Sequence, residues 1–359
     1  MSQQNQRTSI LYVGYPLLPV STESCGGAEQ VLWSLEHEMA RRGLRTAVAA
    51  CEGSEVAGEL LCTGPRAVRT DAFDEREAEH SERVVEFAGK HRFSLIHDHS
   101  GHFWKHAARV DLPVLATLHL PRGFYSEQMF SALPRNVFFN CVSDSQAASF
   151  GDVPRMMGVV NNGLDPERFP FARKKDNYLL WLGRICPEKA PHLAIDAARM
   201  AGLPLVIAGQ VYPFSYHQQY FEREIRPHLE AAQSNVRFVE VPSFAEKLEL
   251  LGHARALLVT SLAAETSSLV ALEAQACGTP VVAFRSGALP DVVDHGHTGF
   301  VVRTLDAMVA ALHDLDHIWP EECRHWVRSG FSASRMADGY ARLYRQVIAE
   351  SQQLMVRAA

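Results

Sequence analysis

Residues 178–208, YLLWLGRICPEKAPHLAIDAARMAGLPLVIA, decide the fold. Tyr178 to Gly183 is a short aliphatic run that reads as a strand, Pro191 to Ala201 has helical period, and Pro204 to Ala208 is a second strand. Strand, helix and strand in this order form a βαβ unit feeding a parallel sheet. Between the first strand and the helix lies Gly183-Arg184-Ile-Cys-Pro-Glu-Lys189. A loop in that position faces the carboxyl edge of the sheet, where open α/β sheets bind ligands.

Outward from this unit the alternation continues. Towards the C-terminus it predicts a helix around Tyr220 to Gln233, strand Val236 to Val239, helix Ala245 to His253, strand Ala256 to Thr260, helix Ser268 to Ala276, strand Pro280 to Phe284 and a strand-like Phe300 to Val302. Helices Thr304 to Leu315 and Ser334 to Ser351 close the chain. Towards the N-terminus the strands are Ile10 to Val13, Thr46 to Ala50, Leu95 to His97, Val114 to Leu118 and Val137 to Val142. Helices follow Gly26-Gly27 and span Glu75 to His91. The turn-rich Asn161-Asn-Gly-Leu-Asp-Pro marks a linker. The expectation is an N-terminal domain over 1–165, a second over 166–333 and a closing segment over 334–359.

The chain of 359 residues suits two such domains. Its seven cysteines are odd in number, scattered and without a CxxC pair, which argues against a disulfide framework or zinc site and for a reducing compartment. The polar start leads into too short an apolar run for a membrane span, so a cytoplasmic protein is expected. Net charge is -6, and residues 1–165 carry 15 basic against 20 acidic side chains. That balance disfavours nucleic acid and gives no support to docking on anionic lipid.

Arg184 and Lys189, five apart in one loop, can converge on a diphosphate, the guanidinium as a fork of donors and the ammonium as a mobile charge. An exposed basic turn is the other reading. Glu265 and Glu273 bracket the entry to a helix, where carboxylates are favoured by its dipole and can accept hydrogen bonds from sugar or ribose hydroxyls, or simply cap it. Gly26 and Gly27 can bring backbone N–H groups up to a phosphate, or form an ordinary turn. GxGxxG is missing, so a nicotinamide enzyme is not expected. No HExxH or comparable ligand spacing occurs among the histidines, and no metal is expected. His97 ends a strand and reads as a core histidine; His99 and His119 follow strands at the carboxyl edge.

Six stretches in order, Gly26-Gly-Ala-Glu29, Asn162-Gly-Leu-Asp165, Gly183 to Lys189, Glu265 to Glu273, Ala276-Cys-Gly-Thr-Pro280 and Gly296-His-Thr-Gly-Phe300, resemble glycosyltransferase family 4 over nearly the whole chain. The resemblance implies a GT-B fold, two Rossmann-like doubly wound domains facing each other across a cleft, with the last helix crossing back to the first domain. It implies a retaining, metal-independent transferase that needs no cofactor and takes a hexose from a UDP- or GDP-linked donor such as UDP-glucose to a small-molecule or saccharide acceptor.

By the same resemblance Arg184 and Lys189 hold the diphosphate, Glu273 the ribose, and Glu265 the transferred sugar. Backbone amides at Ser268 and Leu269 meet sugar or phosphate, Gly26 and Gly27 complete the donor site, and His119 sits at the reaction centre. His99, Arg122 and Tyr125 are the expected acceptor contacts. Ser267-Ser268 stands where many members have Phe-Gly, a departure that bears on sugar choice. A nucleotide-sugar epimerase of the same fold and an inactive nucleotide-sugar-binding partner are the alternatives.

Overall fold

The computed structural model describes residues 8–24, 26–67, 72–231 and 234–358, with the backbone alone for 357 and 358. The polar start through Arg7, Cys25, and the expected helix end at Ala232-Gln233 lie outside them. Two compact units divide the chain, Met1–Gly163 with Ala333–Ala359, and Leu164–Ser332.

In the first unit β1 (Ser9–Val13), β2 (Arg45–Ala50), β3 (Glu59–Cys62), β4 (Leu95–Asp98), β5 (Val114–Thr117), β6 (Val137–Cys141) and β7 (Met156–Val159) pair in the order β3-β2-β1-β4-β5-β6-β7. The second contains β8 (Leu179–Leu182), β9 (Leu205–Gly209), β10 (Val236–Glu240), β11 (Ala256–Val259), β12 (Val281–Phe284) and β13 (Gly299–Val302), ordered β10-β9-β8-β11-β12-β13. Every pairing between these strands is parallel. A parallel sheet needs helices on both faces, which is why the central strands are apolar without alternation and fully buried. The α/β, doubly wound expectation holds in both units. Strand order reverses between β1 and β4 and between β8 and β11, and the loops leaving those strands form the two switch points.

Several elements escape the periodicity. Edge strands β3 and β7 have partly exposed side chains. The helix expected around Tyr220 is three consecutive pieces, Ser215–Tyr220, a π-helical Phe221–Ile225 and Arg226–Glu230. Pro227 does not break the run, because it sits in the first turn of the last piece, where a missing N–H is tolerated. An amphipathic helix at Pro320–Gly330 packs on Leu269–Ala276.

Helix Ala333–Ala358 belongs to the first unit and packs on helix Gly27–Arg41. Arg42 clamps it, donating to Asp338 Oδ1 at 2.7 Å and to the Ser334 carbonyl at 2.7 Å. Gly339 lets the helix come close: a Cβ there would stand 2.8 Å from Val160 Cγ1. Tyr340 and Tyr344 then reach the middle of the sheet, both fully buried. Tyr344 Oη lies 2.8 Å from His97 Nδ1 and donates to Tyr12 Oη at 3.3 Å, while Tyr340 Oη lies 3.1 Å from Thr117 Oγ1. The tyrosines thus supply partners for polar groups that a parallel sheet would otherwise strand.

Tyr344→Phe removes one hydroxyl at constant shape and leaves His97 and Tyr12 short of a partner. We expect a loss of about 1–3 kcal/mol in the urea unfolding of the first unit; an unchanged midpoint would show that the helix is held by packing alone.

Candidate functional site

In the second unit the loops leaving β8, β9, β11 and β12 are fastened to one another by side-chain and backbone hydrogen bonds and by close backbone approach. Trp181 Nε1 donates to Thr260 Oγ1 at 3.0 Å, and Thr260 Oγ1 donates to the Lys189 and Ala190 carbonyls at 3.1 and 2.8 Å. The Leu262 amide donates to the Glu188 carbonyl at 2.9 Å, and the Ala288 amide to the Glu265 carbonyl at 2.7 Å. Two glycines make this proximity possible. Gly209 has φ +153 and a Cβ on it would strike the Gly183 carbonyl; Gly287 has φ +52 and a Cβ on it would strike the Glu265 backbone.

This frame brings Lys189 and Glu265 together. Lys189 Nζ donates to Glu265 Oε1 at 2.5 Å, and the same carboxylate oxygen accepts from Ser261 Oγ. The Glu265 side chain is 10% exposed and that of Lys189 35%, so the pair is partly shielded and one end meets solvent. Arg184 stands on the same loop with its guanidinium 5.7 Å from the Tyr212 ring centre, and burial notwithstanding, the neighbouring Cys186 holds its pKa above the usual arginine value. Glu273 is buried within helix Leu269–Ala276 and accepts from Lys247 Nζ at 2.8 Å. Ser268 is the N-cap of that helix, 3% exposed, and Leu269 is its first residue. Tyr212 and Lys247 are partners that sequence spacing does not reveal, since each comes from a different loop or helix, whereas Ser261 precedes Glu265 on the same loop.

The first unit gathers the histidines. His99 Nδ1 lies 3.0 Å from His119 Nε2, His99 Nε2 lies 3.3 Å from His97 Nδ1, and His97 Nε2 lies 2.7 Å from Thr117 Oγ1. Burial lowers the pKa of all three, that of His119 to about 4, so they form a chain of neutral imidazoles at pH 7. His99 is 4% exposed with both ring nitrogens engaged. It backs His119. Tyr125 is likewise a core residue, 7% exposed, its hydroxyl accepting from the Leu120 amide at 3.2 Å. Arg122 donates to the Tyr125 carbonyl at 2.5 Å, pairs with Glu127 and lies over the Phe130 and Phe150 rings. These residues border a cavity of about 820 Å³.

Gly26 is the N-cap of helix Gly27–Arg41, in extended conformation. A Cβ on Gly26 would run into the Glu29 carboxylate, which folds back over the helix start. Glu29 is 5% exposed, and burial pushes its carboxyl up to about 7 although its own backbone N–H pulls the other way.

Two sheets ordered in this way, with the site residues at a switch point, define a GT-B protein. A family model described as "Glycosyl transferases group 1" matches residues 165–331, and one described as "Glycosyltransferase Family 4" matches residues 25–168. The chain belongs to the group 1 glycosyltransferases. It is 32% identical over 215 residues to a glycogen synthase of Mycobacterium tuberculosis, covering 53% of this chain and 50% of that one. It is 29% identical over 304 residues to a D-inositol 3-phosphate glycosyltransferase of Rhodococcus erythropolis, covering 71% and 68%. The chain therefore spans about half the length of the first relative. Among solved structures, Anabaena HepE in complex with UDP and glucose has the same fold, with a TM-score of 0.74, 16% identity and coverage of 95% and 100%. No helix among the described residues is long and apolar enough to cross a membrane.

Glu29 yields a pH prediction. Its pKa in the fold lies above the ordinary 4.5, so the unfolded chain ionises first and the fold loses stability as pH rises from 4.5 through about 7, by about 3 kcal/mol in all. Glu29→Gln lacks this term. The stability of the variant relative to the parent should climb over that window and level off above it, read from denaturant unfolding at several pH values. A flat difference would contradict a buried acid.

Proposed function

We propose that the chain moves a hexose from a UDP- or GDP-linked donor to a hydroxyl of a small-molecule or saccharide acceptor, with retention of anomeric configuration and without a metal ion or cofactor in the transfer step. The observation that carries this reading is the meeting of Lys189 and Glu265 at the β8–β11 switch point, with Arg184 on the same loop as Lys189. Family membership and the UDP bound by a structural relative support it.

Lys189 is paired with Glu265. A diphosphate entering the loop draws Lys189 away and meets Arg184 as well, which leaves the Glu265 carboxylate to accept a hydrogen bond from a sugar hydroxyl. Glu273 receives the ribose, with Ser268 and Leu269 amides and the Gly26-Gly27 backbone as further donor contacts. His119 is assigned to the reaction centre as a neutral donor or acceptor, held in orientation by His99. The bond from the anomeric carbon to the diphosphate oxygen breaks with its electron pair going to the diphosphate. The acceptor oxygen bonds on the same face, and its proton passes to the departing oxygen. Arg184 and Lys189 stabilise the charge that grows there, in place before the reaction begins.

The cytoplasm is the proposed compartment, consistent with six free cysteines among the described residues, Cys62 exposed.

Arg184→Ala removes one preorganised donor, worth on the order of 3 kcal/mol in the transition state, and should lower turnover roughly a hundredfold or more. The assay is a screen of metal-free protein against UDP- and GDP-sugars with mass detection of hexosylated product, and nuclear magnetic resonance of the new anomeric centre. Near-normal turnover by the variant, or an inverted centre, would overturn the corresponding part of the proposal.

A further inference from the structure

The loop that leaves β8 carries two side chains that the transfer reaction does not use, Cys186 and Glu188. Helix Ser215–Tyr220, which follows β9, carries a third, His217. Strands β8 and β9 are neighbours in the sheet, and the close approach of Gly209 to Gly183 brings their loops out side by side. As a result Cys186 Sγ, a Glu188 carboxylate oxygen and a His217 ring nitrogen all lie within 4.8 Å of one another. Among the described residues no other trio of His, Cys, Asp or Glu converges in this way.

A second observation points to a ligand. His217 is 0% exposed, and neither of its ring nitrogens has a hydrogen-bond partner. The rings of Tyr212, Phe214 and Tyr216 surround it and offer faces and edges instead. A buried imidazole left wholly unsatisfied is rare in folded proteins and calls for something that its lone pair can bind.

We propose that Cys186, Glu188 and His217 form a binding site for a divalent transition metal, zinc in the first instance, with the fourth position open to solvent. Thiolate, imidazole and carboxylate are the ligand set that zinc accepts, whereas magnesium and calcium take oxygen ligands. Tetrahedral bonding asks for ligand atoms somewhat closer together than 4.8 Å, a contraction within reach of a loop and a helix end. Burial, reinforced by Arg184, keeps His217 neutral, the form that ligates. Burial and then the Glu188 carboxylate raise the Cys186 pKa, so the thiol holds its proton until a metal replaces it: one proton leaves and one sulfur–metal bond forms.

The ligand set balances the charge of the ion. The cluster carries the Glu188 charge with a neutral thiol and imidazole; a divalent ion with thiolate and carboxylate gives a neutral centre. Glu188 is exposed and gives the ion its entry path. Occupancy ties the loop of Arg184 and Lys189 to the β9 loop and takes the Cys186 sulfur away from Arg184, with which it now interacts. The ion is a clamp on the loop and not a reagent in the transfer, so the site stands or falls independently of the transferase reading.

The test uses the full chain, stripped with a chelator and titrated with cobalt(II) and then zinc(II), with no donor or acceptor present. The site predicts a thiolate-to-cobalt absorption band that saturates at one ion per chain and is bleached by zinc. Cys186→Ser and His217→Gln should each lose the band while keeping the circular dichroism and melting curve of the stripped parent. If either variant fails to fold, the exposed ligand decides the question: Glu188→Gln should bind cobalt at least tenfold more weakly than the parent with its fold intact. Absence of the band in the parent, its survival in both variants, or a Glu188→Gln affinity equal to the parent's would overturn the proposal.

Discussion

The ion pair of Lys189 and Glu265 holds the key position in the second unit. It bridges the loops from β8 and β11, the two strands between which the sheet order reverses, and it is set by backbone hydrogen bonds that leave those loops little freedom. A partly buried pair of this kind is weak as a source of stability, because the desolvation of both charges offsets much of their attraction. Under the proposed function its value is in exchange: an incoming diphosphate would offer Lys189 a partner of higher charge and release the Glu265 carboxylate for the sugar. A second pair, Lys247 with Glu273, lies about one turn into the adjoining helix and is also largely buried.

The first unit rests on a different constraint. Its sheet places His97, Asp98, Thr117 and Asn140 in the interior, and each polar group is answered by another: the closing helix supplies Tyr340 and Tyr344, while the loop amides of Ser100 and Trp104 donate to Asp98. The histidine chain ends at His119, which is half-buried. Because the imidazoles are neutral, each must donate from one nitrogen and accept at the other, so the tautomer of His119 is tied to the partners of His97 some distance inside. Folding and site geometry are thereby linked through the last helix.

Much of this is legible in sequence, for physical reasons that differ by element. Central strands such as Ala256–Val259 announce themselves because burial on both faces demands an unbroken apolar run. The edge strand Glu59–Cys62 does not, since half its surface is wet. Helix Pro320–Gly330 escapes the periodicity although Pro320 and the acidic first turn are start signals, because its charged face outweighs its apolar one. At the site, Arg184, Lys189, Glu265 and Glu273 are visible as spaced residues on loops after strands. Their distant partners are not: Lys247 reaches Glu273 only through tertiary packing, and His217 meets Cys186 only because β8 and β9 lie side by side. Nor can spacing show that His99 and Tyr125 face inward, as burial depends on what covers a loop.

The most direct test of the central exchange is calorimetric titration of UDP into the parent, Lys189→Ala, Glu265→Gln and the double variant. UDP carries the diphosphate without the sugar, so it isolates the competition for Lys189. The account predicts that Lys189→Ala weakens binding by roughly tenfold or more, as expected for a charged hydrogen bond. Glu265→Gln should tighten it by freeing Lys189, and should have no effect once Lys189 is gone. UDP affinity unchanged by Lys189→Ala, or weakened by Glu265→Gln, would contradict the account.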